Sequence, residues 1–389
     1  MSDQADEKPG PLSGIRVLDF TALLQGPLAT QVLADLGADV VKLEKRKGEW
    51  MRQWGIFMAR THGETDAFLA FNRNKRSVEI DLRDADDRER ILALVDRADV
   101  VVENFRPGVM DRAGLGYDAL RERNPRIVYA AATGYGRTGP YVDRPGQDYL
   151  VQALTGAMWL TGRRDDPPFL FGAAIADQFT GLHLVIGILA ALQHRNRTGE
   201  GQRVDVDLLS CMMAIQQQEL TVFFNHGRAL ERPVENVGHP GITGPCGVYR
   251  TTDGYLLLSV CPCPVLGGIL GVDWLAQYDT NEKMFEGRDE IYRRLAAHFA
   301  TRPTVHWIEL LSAHDVWCAP VQRHADLELD PQVAHKKLIW DVPYADSGLT
   351  YRTVGSPFTF SVSPARLRRG APRSGQHTEA FRNNEIWRD

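Results

Sequence analysis

The first third of the chain alternates short runs of β-branched and aliphatic residues with amphipathic segments that have helical spacing. The strand-like runs are GIRVLDF (14–20), ADVVKLE (38–44), SVEIDL (77–82), ADVVVENF (98–105) and IVYAAATGYG (127–136). Nearly continuous apolar runs indicate strands that are buried on both faces, and crossover helices between them require a parallel sheet. The pattern therefore predicts an α/β fold with a Rossmann-like parallel sheet.

The pattern changes further along the chain. GQRVDVDL (201–208) predicts one more strand and 209–225 a long helix, whereas VYRTTDGYLLLSV (248–260) predicts a hairpin that turns at Asp253-Gly254. Several amphipathic helices follow this hairpin, which indicates a smaller α+β domain. We expect a large domain formed by 11–224 and 331–389, with the small domain and its linkers at 225–330.

Composition narrows the class of protein. The formal net charge of the 389 residues is -5, which gives no reason to expect a nucleic-acid partner. The five cysteines are an odd number, and although Cys261-Pro-Cys263 is a close pair, no second Cys or His pair stands nearby at zinc-ligand spacing. The longest apolar run, 184–192, is too short to span a bilayer. We expect a cytoplasmic protein without metal or membrane association.

Basic residues recur around the ends of the predicted strands, where ligands of parallel sheets bind. Positive charge at three successive strand ends is what a phosphorylated ligand requires. These residues are Lys42, Lys45, Arg46, Lys47, Arg73, Lys75, Arg76, Arg83, Arg106 and Arg112. The segment 19–44 has the layout of a dinucleotide-binding unit, but Gly26 is followed by Pro27 and no GxGxxG is present, which argues against a nicotinamide cofactor.

Asp177 is the carboxylate that the pattern singles out. It lies between the small residues Gly172, Ala173, Ala174 and Ala176 and an apolar segment, 179–192, that is typical of a helix. Asp is a favoured N-cap residue, so a structural role as the cap of this helix is the first interpretation. A carboxylate at a helix start among small residues is also accessible to an electrophile, and carboxylates act as covalent nucleophiles toward activated acyl groups.

Several longer motifs resemble one known family. These motifs are GIRVLDFT, GPLATQVLADLGADVVKLE, NRNKRSVEIDL, ADVVVENFRPGVMDRAGLGYDAL, NPRIVYAAATGYGRTGPY, DQFTGLHLVIGILAALQHRNRTGEGQRVDVDL, GSPFTF and GQHTEAF. Together they resemble the family III coenzyme A transferases, which include formyl-CoA transferase, carnitine CoA-transferase and the related α-methylacyl-CoA racemase. The resemblance is nearly continuous over 12–208 and patchier over 331–381.

The resemblance implies a CoA transferase in which two open rings interlock into a homodimer. It implies that Asp177 is the nucleophile, forming a mixed anhydride and then an aspartyl-CoA thioester, with CoA or acyl-CoA as substrate and no metal or nicotinamide. The residues that match the family's CoA site are Leu24, Gln25, Lys45, Ile80, Asp81, Leu82, Arg83, Asn104, Phe105, Arg106, Arg112, Gln147 and Asp148. Lys45 replaces the usual Arg, so its phosphate contact would be a point charge rather than a bidentate one.

Two departures from the family separate the possible activities. The racemase has a His where this chain has Gln147, and Gln cannot exchange an α-proton, which disfavours racemisation. The glycine-rich loop of the formyl-CoA enzyme is replaced by GHPGITGPCG, so formate and oxalate chemistry should not be assumed. The expected residues of the acyl-pocket loop are Gly238, His239, Gly241 and Gly244.

Two alternatives to CoA transfer remain open. One is a racemase- or epimerase-like enzyme that uses Asp148 and Asp177 as acid and base. The other is a catalytically silent CoA-binding protein. For the transferase, backbone N–H groups at the helix start, with Gly172, Gly136 or Gln25, are the expected oxyanion donors.

Overall fold

The computed structural model describes residues 9–54, 60–228 and 230–388. The chain forms two compact units. The first consists of 1–151, 173–215 and 331–389, and the second of 152–172 and 216–330. The second unit therefore takes in the segment just before Asp177 as well as the region around the predicted hairpin.

Six parallel strands form the main sheet of the first unit, in the order β5-β2-β1-β6-β7-β8. β9, β10 and β11 form an antiparallel sheet in the second unit, while β3-β4 and β12-β13 are separate pairs. The strands are β1 Arg16–Asp19, β2 Asp39–Lys45, β3 Arg60–Thr61, β4 Glu64–Thr65, β5 Lys75–Ile80, β6 Val100–Glu103, β7 Val128–Thr133, β8 Arg203–Asp207, β9 Gly247–Arg250, β10 Tyr255–Leu258, β11 Cys318–Pro320, β12 Ile339–Tyr344 and β13 Leu349–Val354.

Helices cover both faces of the main sheet, as its apolar strands require. The α-helices of the described chain are α1 Gln25–Asp35, α2 Asp66–Phe71, α3 Ala85–Val95, α4 Val109–Arg112, α5 Tyr117–Arg123, α6 Asp148–Leu154, α7 Ile175–Thr198, α8 Leu208–Ala214, α9 Gln217–His226, α10 Cys263–Leu270, α11 Asn281–Glu286, α12 Arg288–Phe299, α13 Thr304–Ser312, α14 Pro331–His335 and α15 Thr378–Arg382, of which α9 to α13 belong to the second unit. Short 3₁₀ turns occur at Trp50–Arg52, Ala157–Trp159, Asp273–Gln277 and His324–Glu328.

Two apolar clusters lie on the two faces of the main sheet. On one face, Ile91 of α3 and Leu120 of α5 pack with the strands and with Phe381 from the C-terminal segment. On the other face, Leu33 of α1 and Ile188 of α7 do so. The C-terminal segment is thus part of the sheet domain, and the predicted α/β fold with a parallel sheet is confirmed.

Helix α7 carries Asp177 in its first turn. It is long and apolar enough by composition to cross a membrane, and in the described part of the chain it is the only such helix. It packs against α1, α8, β7 and β8. Its buried Leu184, Ile188 and Ala191 belong to the core of the first unit, which accounts for its apolar character.

The second unit contains the predicted hairpin, with β9 pairing to β10 across the Asp253-Gly254 turn. Tyr249 and Leu256 from these strands pack with α10, α12 and α13 in a separate core. One helix prediction was wrong in its extent: 209–225 is not a single helix but α8 followed by α9, and Gln216 between them has a non-helical backbone. The break lies at the start of the polar run QQQE (216–219), which the prediction had placed inside one helix.

Candidate active site

The turn after β1 is held in place by buried charged groups. Leu23 has a φ of 68°, an uncommon conformation for a residue with a side chain, and its N–H donates to Glu49 at 2.6 Å. The Lys42 ammonium donates to the carbonyl of Thr21 and pairs with Glu49 at 2.8 Å. Burial opposes the charge on Lys42, yet Glu49, Asp19 and Glu44 together raise its pKa. The strained turn is thus fixed by ion pairs that remain charged.

Asn104 joins this turn to the one after β6. Its side-chain amide accepts from the Ala22 N–H at 2.9 Å and donates to the Ala22 carbonyl at 2.8 Å. Glu103 accepts the Phe105 N–H at 2.8 Å and so fixes the start of the same turn. Asn104 therefore places two strand-end turns side by side, and both of them line the cavities described next.

One cavity, of about 610 Å³, lies at the carboxyl ends of β1, β2 and β5. We call it the basic cavity, and its lining residues are Phe20, Thr21, Ala22, Leu43, Glu44, Lys45, Arg46, Glu49, Trp50, Ile80, Asp81, Leu82, Arg83 and Phe105. Arg83 is already paired with Asp81 at 3.0 Å, and this arginine lowers the pKa of Asp81 to about 2. Lys45 and Arg46 carry no such pair in the described structure, so these two cations are available to a phosphate.

A second cavity, of about 170 Å³, contains Asp177. We call it the Asp177 cavity, and its lining residues are Leu23, Leu24, Gln25, Asn104, Phe105, Arg106, Pro107, Thr133, Gly134, Tyr135, Gly136, Val142, Arg144, Pro145, Gly146, Gln147, Asp177 and Leu208. Phe105 lines both cavities. Of the residues predicted to bind CoA, all but Arg112 and Asp148 line one of these two adjoining cavities.

Two glycines let the wall of the Asp177 cavity close. A Cβ on Gly146 would stand 2.4 Å from the Cα of Gly134, so neither position has room for a side chain. At the start of α1, a Cβ on Gly26 would stand 2.4 Å from the side chain of Thr21. A glycine at position 26 therefore lets helix α1 approach the strained turn closely. This packing role explains the glycine, and no dinucleotide-binding motif is needed to account for it.

Asp177 does not cap its helix, so the N-cap interpretation was wrong. Helix α7 begins at Ile175, two residues before Asp177, and its N-cap Ala174 makes no side-chain cap. The Asp177 N–H instead donates to the buried carboxylate of Asp148 at 3.0 Å. Burial, and then the negative charge of Asp148, raise the pKa of Asp177 to about 7. Such a carboxylate is ionised in half of the molecules near neutral pH.

The hydrogen bonds of the cavity narrow the choice of oxyanion donor. The Asp177 N–H is used by Asp148, and the Gly136 N–H donates to the Thr133 hydroxyl at 3.0 Å. Gly172 belongs to the second unit. Gln25 is buried in the cavity wall, and its Oε1 has no hydrogen-bond partner in the described structure. The unpartnered atom is an acceptor oxygen, so a donor to an oxyanion from this side chain would be the Nε2 of the same amide.

The other predicted residues lie elsewhere. Arg112 ends α4, after the Asn104–Arg106 turn, and lines neither cavity. Asp148 starts α6 and reaches the site through the Asp177 backbone. The loop residues Gly238, His239, Gly241 and Gly244 belong to the second unit. His239 accepts the Gly241 N–H through Nδ1 and contacts Glu219 at 3.0 Å through Nε2, so both ring nitrogens are engaged in holding the loop.

Cys261 and Cys263 are buried free thiols in the core of the second unit. Burial raises the pKa of Cys263 to about 12, which leaves it an unreactive thiol at neutral pH. Sequence reasoning missed Trp50 and Arg144 as lining residues. Trp50 follows a polar loop and stacks on Trp54 with ring centroids 5.0 Å apart, and Arg144 sits in a turn rich in Pro and Gly. Neither has a sequence pattern that distinguishes it from a surface residue.

Fold and site define an α/β protein whose ligand cavities lie at the carboxyl edge of a parallel sheet, with a nearly neutral-pKa carboxylate in one and free cations in the other. A family model for CoA-transferase family III matches residues 12–378. The chain belongs to that family and is a CoA-transferase, as the sequence motifs predicted.

Similar proteins span almost the same length. A succinate–glutarate CoA-transferase of Agrobacterium fabrum is 37% identical over 97% of this chain and 96% of its own. A succinyl-CoA:mesaconate CoA-transferase of Haloarcula hispanica is 36% identical over 95% of this chain and 94% of its own. The crystal structure of a CaiB/BaiF family protein from Brucella suis superposes with a TM-score of 0.85 at 32% identity, covering 97% of this chain and all of that one.

Proposed function

We propose that the enzyme moves CoA from a donor acyl-CoA to an acceptor carboxylate through covalent intermediates on Asp177. The observation that carries this proposal is the half-buried Asp177 carboxylate, with a pKa near 7, in a cavity that adjoins a second, cation-bearing one. Lys45 and Arg46 would bind phosphates of CoA in the basic cavity, and the Asn104–Arg106 turn would guide the thioester into the Asp177 cavity.

The reaction begins with ionised Asp177. Its oxygen forms a bond to the thioester carbonyl carbon, the C–S bond breaks, and CoA leaves as the thiolate, so that a mixed anhydride remains. The thiolate then attacks the aspartyl carbonyl of this anhydride, which forms an aspartyl-CoA thioester and releases the donor acid as its carboxylate. The activated acyl bond is preserved at each step, so the energy of the donor thioester is not lost.

The second half reverses these steps with the acceptor. Its carboxylate attacks the aspartyl thioester and expels the thiolate, which forms a second mixed anhydride. Attack by the thiolate on the acceptor's carbonyl gives the new acyl-CoA and restores the Asp177 carboxylate. Gln25 would donate to the oxyanions of these steps through the Nε2 of its side-chain amide, because this residue lines the cavity.

The acids are proposed to be dicarboxylic. The relatives described above are named for succinate, glutarate and mesaconate, all of which carry two carboxyl groups. In addition, we propose that the chain acts in the cytoplasm as an interlocked homodimer. Large apolar side chains of the second unit, Trp159, Phe223 and Phe224, are exposed in the single chain and would be available to a partner surface. The loop 238–244 is proposed to contribute to the acyl pocket.

Trapping the intermediate tests this mechanism. The protein is incubated with a panel of acyl-CoA thioesters and quenched with hydroxylamine, and the peptide that contains Asp177 is examined by mass spectrometry. A hydroxamate at Asp177 with at least one thioester is expected. Asp177→Ala should give no adduct and no transfer while still binding CoA in a calorimeter.

The remaining outcomes separate the alternatives. Transfer that persists in the Asp177→Ala protein would remove this residue from the mechanism. Solvent deuterium at Cα of a recovered acyl-CoA, without exchange of the acid, would indicate an epimerase-like enzyme. Tight CoA binding with neither adduct nor exchange would indicate a silent binding protein.

A further inference from the structure

The charged side chains that line the Asp177 cavity include more cations than anions. Among the described residues that line it, the charged side chains are the carboxylate of Asp177 and the guanidinium groups of Arg106 and Arg144. The thioester end of an acyl-CoA is uncharged, and the cations of the basic cavity are available for its phosphates. With Arg106 on the turn that we assign to CoA, Arg144 is a cation in the reactive cavity for which CoA itself provides no partner.

Arg144 is held by contacts that leave its charge free. Its guanidinium carbon lies 3.8 Å from the centroid of the Tyr141 ring, and its backbone N–H donates to the Tyr141 carbonyl at 2.9 Å. No carboxylate in the described ranges forms an ion pair with it, whereas Arg137 on the same loop pairs with Asp111. A cation–π contact orients a guanidinium but does not neutralise it, so its N–H groups remain able to bind an anion.

The backbone that carries Arg144 is fixed as well. Two residues later, Gly146 packs directly on Gly134 at the end of β7. The loop is therefore anchored to the sheet immediately beside Arg144. A side chain on an anchored loop selects among ligands better than one on a loose loop, since little ordering accompanies binding.

Arg144 does not pair with the nucleophile. Among the described residues, neither Arg106 nor Arg144 forms an ion pair with Asp177, and the causes of its raised pKa are burial and Asp148. The cavity that Asp177 and Arg144 both line has a volume of about 170 Å³, and an engineered cavity of roughly 150 Å³ accommodates benzene. A short acyl chain would fit the volume of this cavity. Its activated carbonyl would lie at Asp177, and an anion at its other end would pair with the free guanidinium.

We propose that Arg144 binds the distal carboxylate of a dicarboxylic acyl group and so determines the preference of the enzyme for dicarboxylic over monocarboxylic acids. The guanidinium would hold this carboxylate by paired N–H···O bonds, as is usual for arginine and a carboxylate. The inference rests on the proposed CoA transfer and adds to it the residue that recognises the non-reacting end of the substrate.

A competition experiment tests this role. One acyl-CoA donor is supplied with equal amounts of glutarate and pentanoate, which have the same number of carbons, and the two acyl-CoA products are quantified by mass spectrometry. Their ratio reports the relative kcat/KM of the two acids, independently of the donor. Arg144→Ala and Arg144→Gln should lower the ratio of dicarboxylic to monocarboxylic product roughly tenfold to hundredfold. Arg144→Lys should retain part of the preference.

Arg137→Ala is the matched control, because Arg137 lies on the same loop but does not line the Asp177 cavity. It should leave the product ratio unchanged. Thermal unfolding of each variant separates a loss of folding from a loss of selectivity.

The results distinguish the two levels of the proposal. A wild-type ratio near one, or an unchanged ratio in Arg144→Ala, would overturn the role of Arg144. An equal loss of both products in a folded variant would show that the residue serves the reacting group and would overturn it too. If the wild-type enzyme transferred CoA to neither acid with any donor, the proposed function itself would fail.

Discussion

Asp177 is a half-buried carboxylate whose burial penalises its charge. Its pKa is about 7 in the folded chain, against the ordinary 3.8 of an aspartate. For a group whose folded pKa is raised, the unfolded state releases its proton first, so stability falls as pH rises from about 4 to about 7. The destabilisation is complete above pH 7, where the enzyme holds an ionised nucleophile. Reactivity and stability are therefore opposed at this residue.

Asp177→Asn should remove the destabilisation that the ionised carboxylate causes at neutral and higher pH. At pH 8 we expect its melting temperature to exceed that of the wild type by about 1–3 °C, and the difference should shrink as the pH is lowered to 5. Differential scanning calorimetry at a series of pH values measures it. Asp118→Asn is the control, because Asp118 also lies in the first turn of a helix but is exposed. A difference that does not vary with pH would contradict the explanation.

Asp148 is, after burial, the second cause of the raised pKa of Asp177. Its carboxylate accepts the Asp177 N–H and contributes to the raised pKa of Asp177. Asp148→Asn keeps an oxygen acceptor and removes the negative charge. The acidic limb of kcat/KM against pH, expected near 7 in the wild type, should move down by roughly half a unit to one unit. A limb that stays in place would show that another group controls it.

At the scale of elements, the contact between Gly134 and Gly146 joins the end of β7 to the loop that carries Arg144 and Gln147. Gly146→Ala would place a methyl group within 2.4 Å of the Gly134 Cα and push the loop outward. We expect at least a tenfold loss of transfer activity, with a lower melting temperature.

Gly268→Ala is a suitable comparison. Gly268 lies in helix α10, has an ordinary φ, and has no atom within 4 Å of the position that a Cβ would occupy. This variant should keep full activity and lose no stability, because alanine suits a helix interior better than glycine. Equal damage in both variants would point to a general sensitivity rather than to the contact of the loop with β7.

Strands were predictable from the sequence because burial on both faces leaves a continuous apolar signature, as in Val100–Glu103 and Val128–Thr133. Motifs then located Asp177 and the strand-end turns. Arg144 and Trp50 were not predictable, since being in a cavity wall depends on how loops distant in sequence fold together. The start of α7 was missed for a similar reason: an alanine N-cap gives no signal, and the partner of the Asp177 N–H comes from 29 residues earlier.

At the scale of the whole molecule, the proposed interlocked homodimer makes a distinct prediction. Light scattering after size exclusion should give twice the chain mass of 43.5 kDa. The dimer should persist through a long dilution series, because two linked rings cannot separate without partial unfolding. A mass that falls to that of one chain on dilution would contradict linked rings, though not the chemistry at Asp177 within each chain.

The two cavities have almost separate walls. Of the described residues, Phe105 alone lines both the basic cavity and the Asp177 cavity. The residues proposed to bind the CoA phosphates and the residue proposed to select the acid therefore lie in nearly separate walls. For protein engineering, residues of the loop between Tyr135 and Gln147 could be substituted to accept new acids while Lys45 and Arg46 keep their contacts with the phosphates.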